Sequence, residues 1–403
     1  MFGCDVICDS LHEVIVGGHV GENRNSTQRR TDSLLNSRLL DSTAVTLNSA
    51  VMRLLVPAKI NLHLRVGPRR ADGFHSLLSW MTTVGLFDNL ILEKQSPAEG
   101  QSFRMEGAGS GTVADDASRG EKPVAPIALV CDMPGLPCDE RNLVVKIALA
   151  LRDELQSTGG GLRIIGSKGD VPHSAGRASK SGNVVGVGAT LHKRIPIGAG
   201  LGGGSSDAAR TLLGLNQLWE ACGSADVLSA FAARFGSDLS FFFHGPSSVC
   251  RGRGELVMPI QRPRPRWAVL ILPRLSMPTA DVYRRFDQMG LGRDEDLTNE
   301  PDWQEWTSLN SEQLLPRLVN DLEPPAFDIA PQLGELRRRV EGLLNQPVRM
   351  SGSGSSLFTL FDDEITAKHA SERIESHMNE KSPAVELAPI LRDDLHEDVT
   401  NRH

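Results

Sequence analysis

The apolar positions of this chain change period several times, and those changes divide it into segments. Residues 1–51 are rich in Ser, Thr, Asn and Arg and hold no sustained apolar period, which predicts a disordered extension. Met52 stands just before the first strand-like run, residues 54–66, so a start codon assigned too far upstream and a genuine extension both remain open. Residues 142–155 place Leu143, Val144, Ile147, Leu151 and Leu155 at helical spacing. A strand candidate at 184–191 leads through His192 to Pro196 into a glycine-rich turn. After the turn, Ala208, Ala209, Leu212, Leu213, Leu215, Leu218 and Trp219 form the apolar face of a second helix. Residues 227–235 read as a helix and 239–243 as an apolar strand.

A proline-rich crossing at 259–265 marks the expected boundary between a first domain, 52–258, and a second, 259–376. The second domain shows a buried strand at 268–272, helices around 280–288 and 332–344, and a strand at 356–361. The charged residues 377–403 are expected to be a mobile tail. Two segments, 96–126 and 159–183, are rich in Gly, Ser, Ala, Asp and Lys and read as surface insertions unable to bury enough apolar area to order themselves.

Composition narrows the function classes only slightly. With 403 residues the chain can bury a substantial core, and a net charge of -7 gives no general attraction to polyanions, so nucleic acid is not an expected partner. No apolar run is long enough for a membrane helix. Asp5, Asp9 and Glu13 disfavour both a secretory signal and a transit peptide, and the expected location is the cytoplasm. The cysteines at 4, 8, 131, 138, 222 and 250 form no disulfide framework. Cys131 and Cys138 lack a second pair or a histidine at zinc-binding spacing, so reduced structural thiols are expected.

The strongest local signal is PIGAGLGGGSSDAA, beginning at Pro196. Gly198, Gly200, Gly202, Gly203 and Gly204 leave a backbone free to wrap an anion, and Ser205, Ser206 and Asp207 are helix-starting residues. A helix beginning where the glycines end would aim its free N–H groups and positive dipole end at a phosphate held by the loop. A flexible linker would not be clamped between a strand and a capped helix. A dinucleotide-binding turn stays in play, because Gly198, Gly200 and Gly203 satisfy GxGxxG and Glu220 lies near the distance of a ribose-binding acid. The intervening His192, Lys193, Arg194 and Pro196 argue against it. A Walker loop is excluded, since no GK[ST] follows the glycines.

This segment resembles the phosphate loop of the GHMP kinases, and four further blocks extend the resemblance. VPAKINLHLRVGPRRADGFHSL at 56–77, FGSDLSFF at 235–242, NDLEP at 320–324 and RMSGSGSSLF at 349–358 follow in that family's order, over most of residues 52–362. PAKIN followed by ADGFH is similar to the diphosphocytidyl-methylerythritol kinases among them. The resemblance implies an α+β, two-domain fold with a ribosomal protein S5 domain 2-like N-terminal domain and an α/β C-terminal domain, the active site lying between them. It also implies transfer of the γ-phosphate of ATP to the 2-hydroxyl of a diphosphocytidyl-methylerythritol, by a monomer or weak homodimer. Another GHMP kinase acting on a different alcohol, and a nucleotide-binding regulator without catalysis, remain the alternatives.

By the same resemblance Asp238 is the catalytic base and Lys59 the lysine that stabilises it and the transferring phosphoryl group. Pro196, Ile197, Gly198, Ala199, Gly200, Leu201, Gly202, Gly203, Gly204, Ser205 and Ser206 hold ATP, with Asn142 and Lys193 lining the adenine pocket. Mg²⁺ bridges phosphate oxygens, and no separate metal cage is visible. Asn61, Phe74, His75, Thr279 and Tyr283 face the substrate, with Phe74 and Tyr283 as opposed stacking platforms. SGSGSS at 351–356 resembles a second glycine loop beside the active site. The chain departs from the family where Ser237 and Ser240 replace alanine and proline around Asp238, and where Phe74 stands in a position more often tyrosine.

Overall fold

The computed structural model describes residues 51–95, 110–113, 126–158, 162, 184–378 and 383–391. The expected extension 1–51, except Val51, and the greater part of both expected insertions lie outside the described residues. A long hairpin carries the fold. β1 (Val51–Arg69) pairs antiparallel with β2 (His75–Gln95), from Val51 opposite Glu93 to Arg69 opposite His75. Its register slips at Pro57/Ala58, Asn61/His63 and Val66/Arg69, irregularities that bend a strand and re-aim its side chains.

β3 (Ser110–Val113), β4 (Ile127–Cys131), β5 (Gly186–His192), β6 (Ser247–Arg251) and β7 (Leu256–Pro259) extend the hairpin into a seven-stranded sheet, ordered β3-β4-β5-β2-β6-β7 with β1 also on β2. Helices α1 (Leu143–Thr158) and α2 (Gly203–Leu218) cover it. Ile147, Leu151 and Leu155 of α1 share one core with Ala208, Leu212 and Leu215 of α2 and with Leu90, Leu92 and Leu129 of the strands. Asn142 caps α1 by accepting from Val144 N at 3.0 Å. Helix α3 (Ala225–Ala232) starts at Ser224, whose hydroxyl accepts from Val227 N.

The chain leaves this sheet at Pro259 and enters a second at Trp267. β8 (Trp267–Leu272), β9 (Arg349–Met350), β10 (Leu357–Phe361) and β11 (Ala384–Pro389) form that four-stranded sheet in the order β11-β8-β10-β9. α4 (Thr279–Gln288) and the helices Pro331–Leu344 and Glu364–His377 pack on it through Val282, Phe286, Leu333, Val340, Ala367 and Ile374. A further cluster joins the sheets: Ile60, Leu62, Trp80 and Val84 of the hairpin meet Leu270, Phe358 and Leu360. The fold is α+β, as expected.

Several expectations need correction. Residues 237–243 form a 3-10 helix, Ser237–Phe243, in place of a strand. Leu239, Phe241, Phe242 and Phe243 are buried all round, and a short apolar run broken only by the buried Ser240 carries no period that separates helix from strand. The segment 377–403 is not wholly a tail, because β11 pairs with β8 and buries Ala388 and Ile390. A six-residue strand flanked by charges shows little pattern until its distant partner is known. Likewise β3, within the expected insertion 96–126, pairs with β4.

One buried imidazole makes the fold sensitive to pH. His63 on β1 is buried among Trp303 and Trp306, and its Nδ1 accepts from Val319 N at 3.2 Å. Burial, followed by the charges of Arg65 and Arg349, lowers its pKa to about 3. The unfolded chain therefore takes up this proton first as pH falls. The stabilisation is complete above about pH 6.5 and is lost progressively down to about pH 3, on the order of 5 kcal/mol in all. Between pH 7.5 and 5 urea unfolding should show about 2 kcal/mol of loss from this group, and His63→Asn should lack that component. Equal pH slopes for the two proteins would refute the assignment.

Candidate active site

The glycine-rich segment enters α2 differently from the pattern read in the sequence. Gly202, in the left-handed region at φ 68°, is the residue preceding the helix, and Gly203 and Gly204 already form its first turn. Ser205, Ser206 and Asp207 lie inside the helix, and no side chain caps it. The helix mouth is thus bare backbone, with its first N–H groups lacking intrahelical partners. Gly198 and Gly200 also hold positive φ, 64° and 78°. A side chain on Gly200 would lie 2.1 Å from Ser351 O, and one on Gly202 would meet the Lys59 stem at 2.9 Å. These glycines are required by close approach, which removes the linker reading. The dinucleotide reading falls on topology: β5 lies between parallel β4 and antiparallel β2, not in a parallel sheet.

A cavity of about 440 Å³ opens beside this loop, lined by residues 196–205 together with Lys59, Asn61, Asp238, Thr279 and Tyr283. Lys59 on β1 is 3% exposed, and its ammonium reaches Asn61 Oδ1 at 2.6 Å, Gly200 O at 3.2 Å and Asp238 Oδ2 at 3.3 Å. A buried ammonium needs such acceptors. Asn61 is itself oriented by donating to Ser79 Oγ at 2.9 Å, and Ser79 donates to His63 O at 3.0 Å. Asp238, in the first turn of the 3-10 helix, keeps about a third of its side chain exposed at the cavity. The residues from PAKIN, the glycine loop and the segment around Asp238 therefore converge.

The SGSGSS segment closes on the same loop. Ser351 Oγ donates to Gly200 O at 2.9 Å and accepts from Asn61 N at 3.1 Å, while Ser356 N donates to Ala199 O at 3.0 Å. Thr279 Oγ1 and Ser353 Oγ lie 2.9 Å apart. The NDLEP block, to which sequence reasoning gave no role, holds this second loop in place. Asn320 donates to both Met350 O and Gly352 O at 2.8 Å, and Glu323 accepts from Met350 N at 2.9 Å. Asp321 ties the block to β1 by accepting from Val66 N at 3.0 Å and pairing with Arg65. The available signal was the place of NDLEP in the family's order of blocks, just before the second glycine loop.

Other candidates are placed less directly. Lys193 touches the cavity, but its ammonium is buried and donates to both Asp88 and Asp207. Burial opposes its charge, yet the two carboxylates together raise its pKa. Asp207 is pushed up to about 7 by burial and by the Asp88 charge, against the pull of Lys193. This ammonium serves a buried cluster, and Asp88 accepts from Ile195 N at 2.8 Å to hold the approach to the loop. Asn142 spends its amide on the α1 cap and on Pro137 O. Ser206 is fully buried and does not line the cavity, whereas Ser205 does.

At the other end, His75 packs against Tyr283 with ring centroids 5.0 Å apart. Phe74 is half exposed, lies outside the cavity lining and carries the Arg253 guanidinium 5.0 Å from its ring centre. The two expected stacking platforms are therefore not closed on one another. Cys131 and Cys138 are free and buried, burial raises both thiol pKa values, and no metal-binding cluster occurs among the described residues.

Family models match at residues 177–246, GHMP kinases N terminal domain, and 297–380, GHMP kinases C terminal. The 4-diphosphocytidyl-2-C-methyl-D-erythritol kinase of Syntrophotalea carbinolica is 31% identical over 332 residues, covering 82% of this chain and 97% of that protein. The chain belongs to the 4-diphosphocytidyl-2-C-methyl-D-erythritol kinase family of GHMP kinases. The family member from Shouchella clausii is 32% identical over 76% of this chain and 85% of its own length. A crystal structure of 4-(cytidine 5'-diphospho)-2C-methyl-D-erythritol kinase matches at 31% identity and a TM-score of 0.56, covering 84% of this chain and 98% of that one. Homoserine kinase from Cytophaga hutchinsonii, 15% identical over 87% of this chain and 98% of its own, at a TM-score of 0.53, shares the fold. No helix among the described residues of this kinase is long and apolar enough to cross a membrane.

Proposed function

We propose that this kinase transfers the γ-phosphate of ATP to the 2-hydroxyl of 4-diphosphocytidyl-2-C-methyl-D-erythritol, a step of the non-mevalonate route to isoprenoid precursors. One observation carries the mechanism: the Lys59 ammonium lies within 3.3 Å of both Asp238 Oδ2 and Gly200 O, so a single cation joins an acid to the phosphate loop. The loop amides and the mouth of α2 bind the triphosphate tail. Asp238 accepts the hydroxyl proton as the oxygen attacks, and Lys59 pairs with the carboxylate and offsets charge on the transferring group. Asn61 orients Lys59 and faces the substrate. The polar side chains of Lys193 and Asn142 support the loop and α1, which leaves the adenine to their stems and backbone.

Mg²⁺ in phosphate sites is bound mainly by phosphate oxygens and water, with one or two carboxylates. Asp238, Ser205 and Asp207, whose Oδ1 has no hydrogen-bond partner, line the cavity and fit that demand. Ser205 and the unpartnered Oδ1 of Asp207 would hold the ion, which would supply charge neutralisation at the phosphates. Residues 52–258 and 259–376 are the proposed domains, with β11 added to the second. The free cysteines among the described residues fit a reducing cytoplasm.

Coupled ADP release with the diphosphocytidyl substrate, mevalonate and homoserine tests the reading. The first is expected to be turned over at least a hundredfold more efficiently, in kcat/KM, than either competitor. Faster turnover of either competitor would overturn the substrate assignment.

A further inference from the structure

Three buried ionisable side chains meet beside the mouth of α2. Asp207, 3% exposed in the second turn of that helix, accepts from Lys193 Nζ at 2.6 Å through Oδ2. Its Oδ1 is buried and has no hydrogen-bond partner among the described residues, although Asp207 lines the cavity. A buried carboxylate oxygen left in that state is costly unless a ligand meets its demand. The Lys193 ammonium lies against the first turn, since a side chain on Gly203 would come within 3.2 Å of it. Its other partner is Asp88 on β2, which is fully buried and outside the cavity lining. Asp88 Oδ1 accepts from Arg194 N at 2.5 Å and from Ile195 N at 2.8 Å, while its Oδ2 takes the ammonium. Asp88 is thus anchored to the backbone that leads into the loop, and it reaches Asp207 only through Lys193.

We propose that Asp88 and Lys193 are positioning residues for the divalent cation that accompanies ATP: shared between two carboxylates, the ammonium holds Asp207 by Oδ2 and leaves Oδ1 free for the ion beside Ser205. An ammonium offered two acids is satisfied by one oxygen of each. Offered one acid, it closes on both oxygens of that acid and competes for the lone pair the ion needs. Phosphate oxygens and water complete the shell of such an ion, so a single well-oriented carboxylate from the protein suffices. The partners that orient a ligating group govern metal affinity along with the ligand itself. The inference rests on the proposed use of ATP with Mg²⁺, and it gives Lys193 a task other than the adenine contact expected from the sequence.

The test is ADP binding to the full chain with and without Mg²⁺, read by calorimetry as the ratio of the two dissociation constants. Wild type is expected to bind ADP about tenfold more tightly with the ion. Asp88→Asn puts an amide donor where the ammonium needs an acceptor, so Lys193 turns wholly to Asp207 and the gain from Mg²⁺ should be lost. A merely structural role for Asp88 would weaken ADP equally with and without the ion and leave the ratio as it was. Lys193→Arg carries the test should Asp88→Asn fail to fold. The guanidinium keeps the charge, but its fork engages both oxygens of a carboxylate, so this variant too should lose the gain. A wild-type ratio in either folded variant would overturn the proposal. If Mg²⁺ does not tighten ADP on wild type, or if Asp207→Asn keeps the wild-type ratio, the metal reading beneath it falls instead.

Discussion

Asp238→Asn is expected to lower kcat at least a thousandfold while leaving the KM for ATP within about twofold. Asparagine fills the same space and can still accept from the Lys59 ammonium, which lies 3.3 Å from Oδ2, so the loop and its lysine keep their places. What it cannot do is take the proton of an attacking hydroxyl. The nucleotide should bind nearly as before, because the residues gripping it are on the opposite side of Lys59, around Gly200. Lys59→Met should behave differently. It leaves Asn61 Oδ1 without its buried donor, removes one of the two donors to Gly200 O, and should reduce stability as well as turnover. A kcat for Asp238→Asn within tenfold of wild type would remove the carboxylate from the mechanism.

Gly200→Ala should be the most damaging of the Gly→Ala changes among the described residues. The added carbon would lie 2.1 Å from Ser351 O and 3.1 Å from Gly354 O, both backbone atoms that cannot rotate away, on a residue whose φ is +78°. The two glycine loops must separate. That breaks the bond from Ser351 Oγ to Gly200 O and the bond from Ser356 N to Ala199 O. The expected cost is about 3 kcal/mol or more in urea unfolding, with the KM for ATP raised tenfold or more. Gly204→Ala supplies the contrast, because nothing lies within 4 Å of its added carbon and it sits in the first turn of α2. It should leave stability unchanged or raise it by up to about 1 kcal/mol. Equal losses at both positions would show that close approach of the loops is not what requires glycine at 200.

Some of this protein could be read directly from the order of its residues. Helix α1 and the apolar face of α2 follow from spacing alone, because a helix turned toward a core repeats its apolar residues with the helical period. The bare-backbone loop could be read because glycine adopts the positive φ seen at Gly198, Gly200 and Gly202 without the steric cost a side chain carries. The ordered blocks from PAKIN to SGSGSS point to a kinase family by themselves.

Tertiary structure decided the rest. The run 239–243, apolar but for Ser240, has no clear period, so packing on every side decided that it is a 3-10 helix. The order of residues marks Lys59 and Lys193 equally as lysines before a possible site. Packing alone sets the first against Asp238 and Gly200 and the second between Asp88 and Asp207. Strand β11, the support that Asn320 gives to Met350 and Gly352, and the grip of Asp287 on His75 all join residues far apart in the chain. Local spacing reports which face of an element is apolar. Which charge meets which is set by the long-range contacts that close the fold, and no local pattern encodes those.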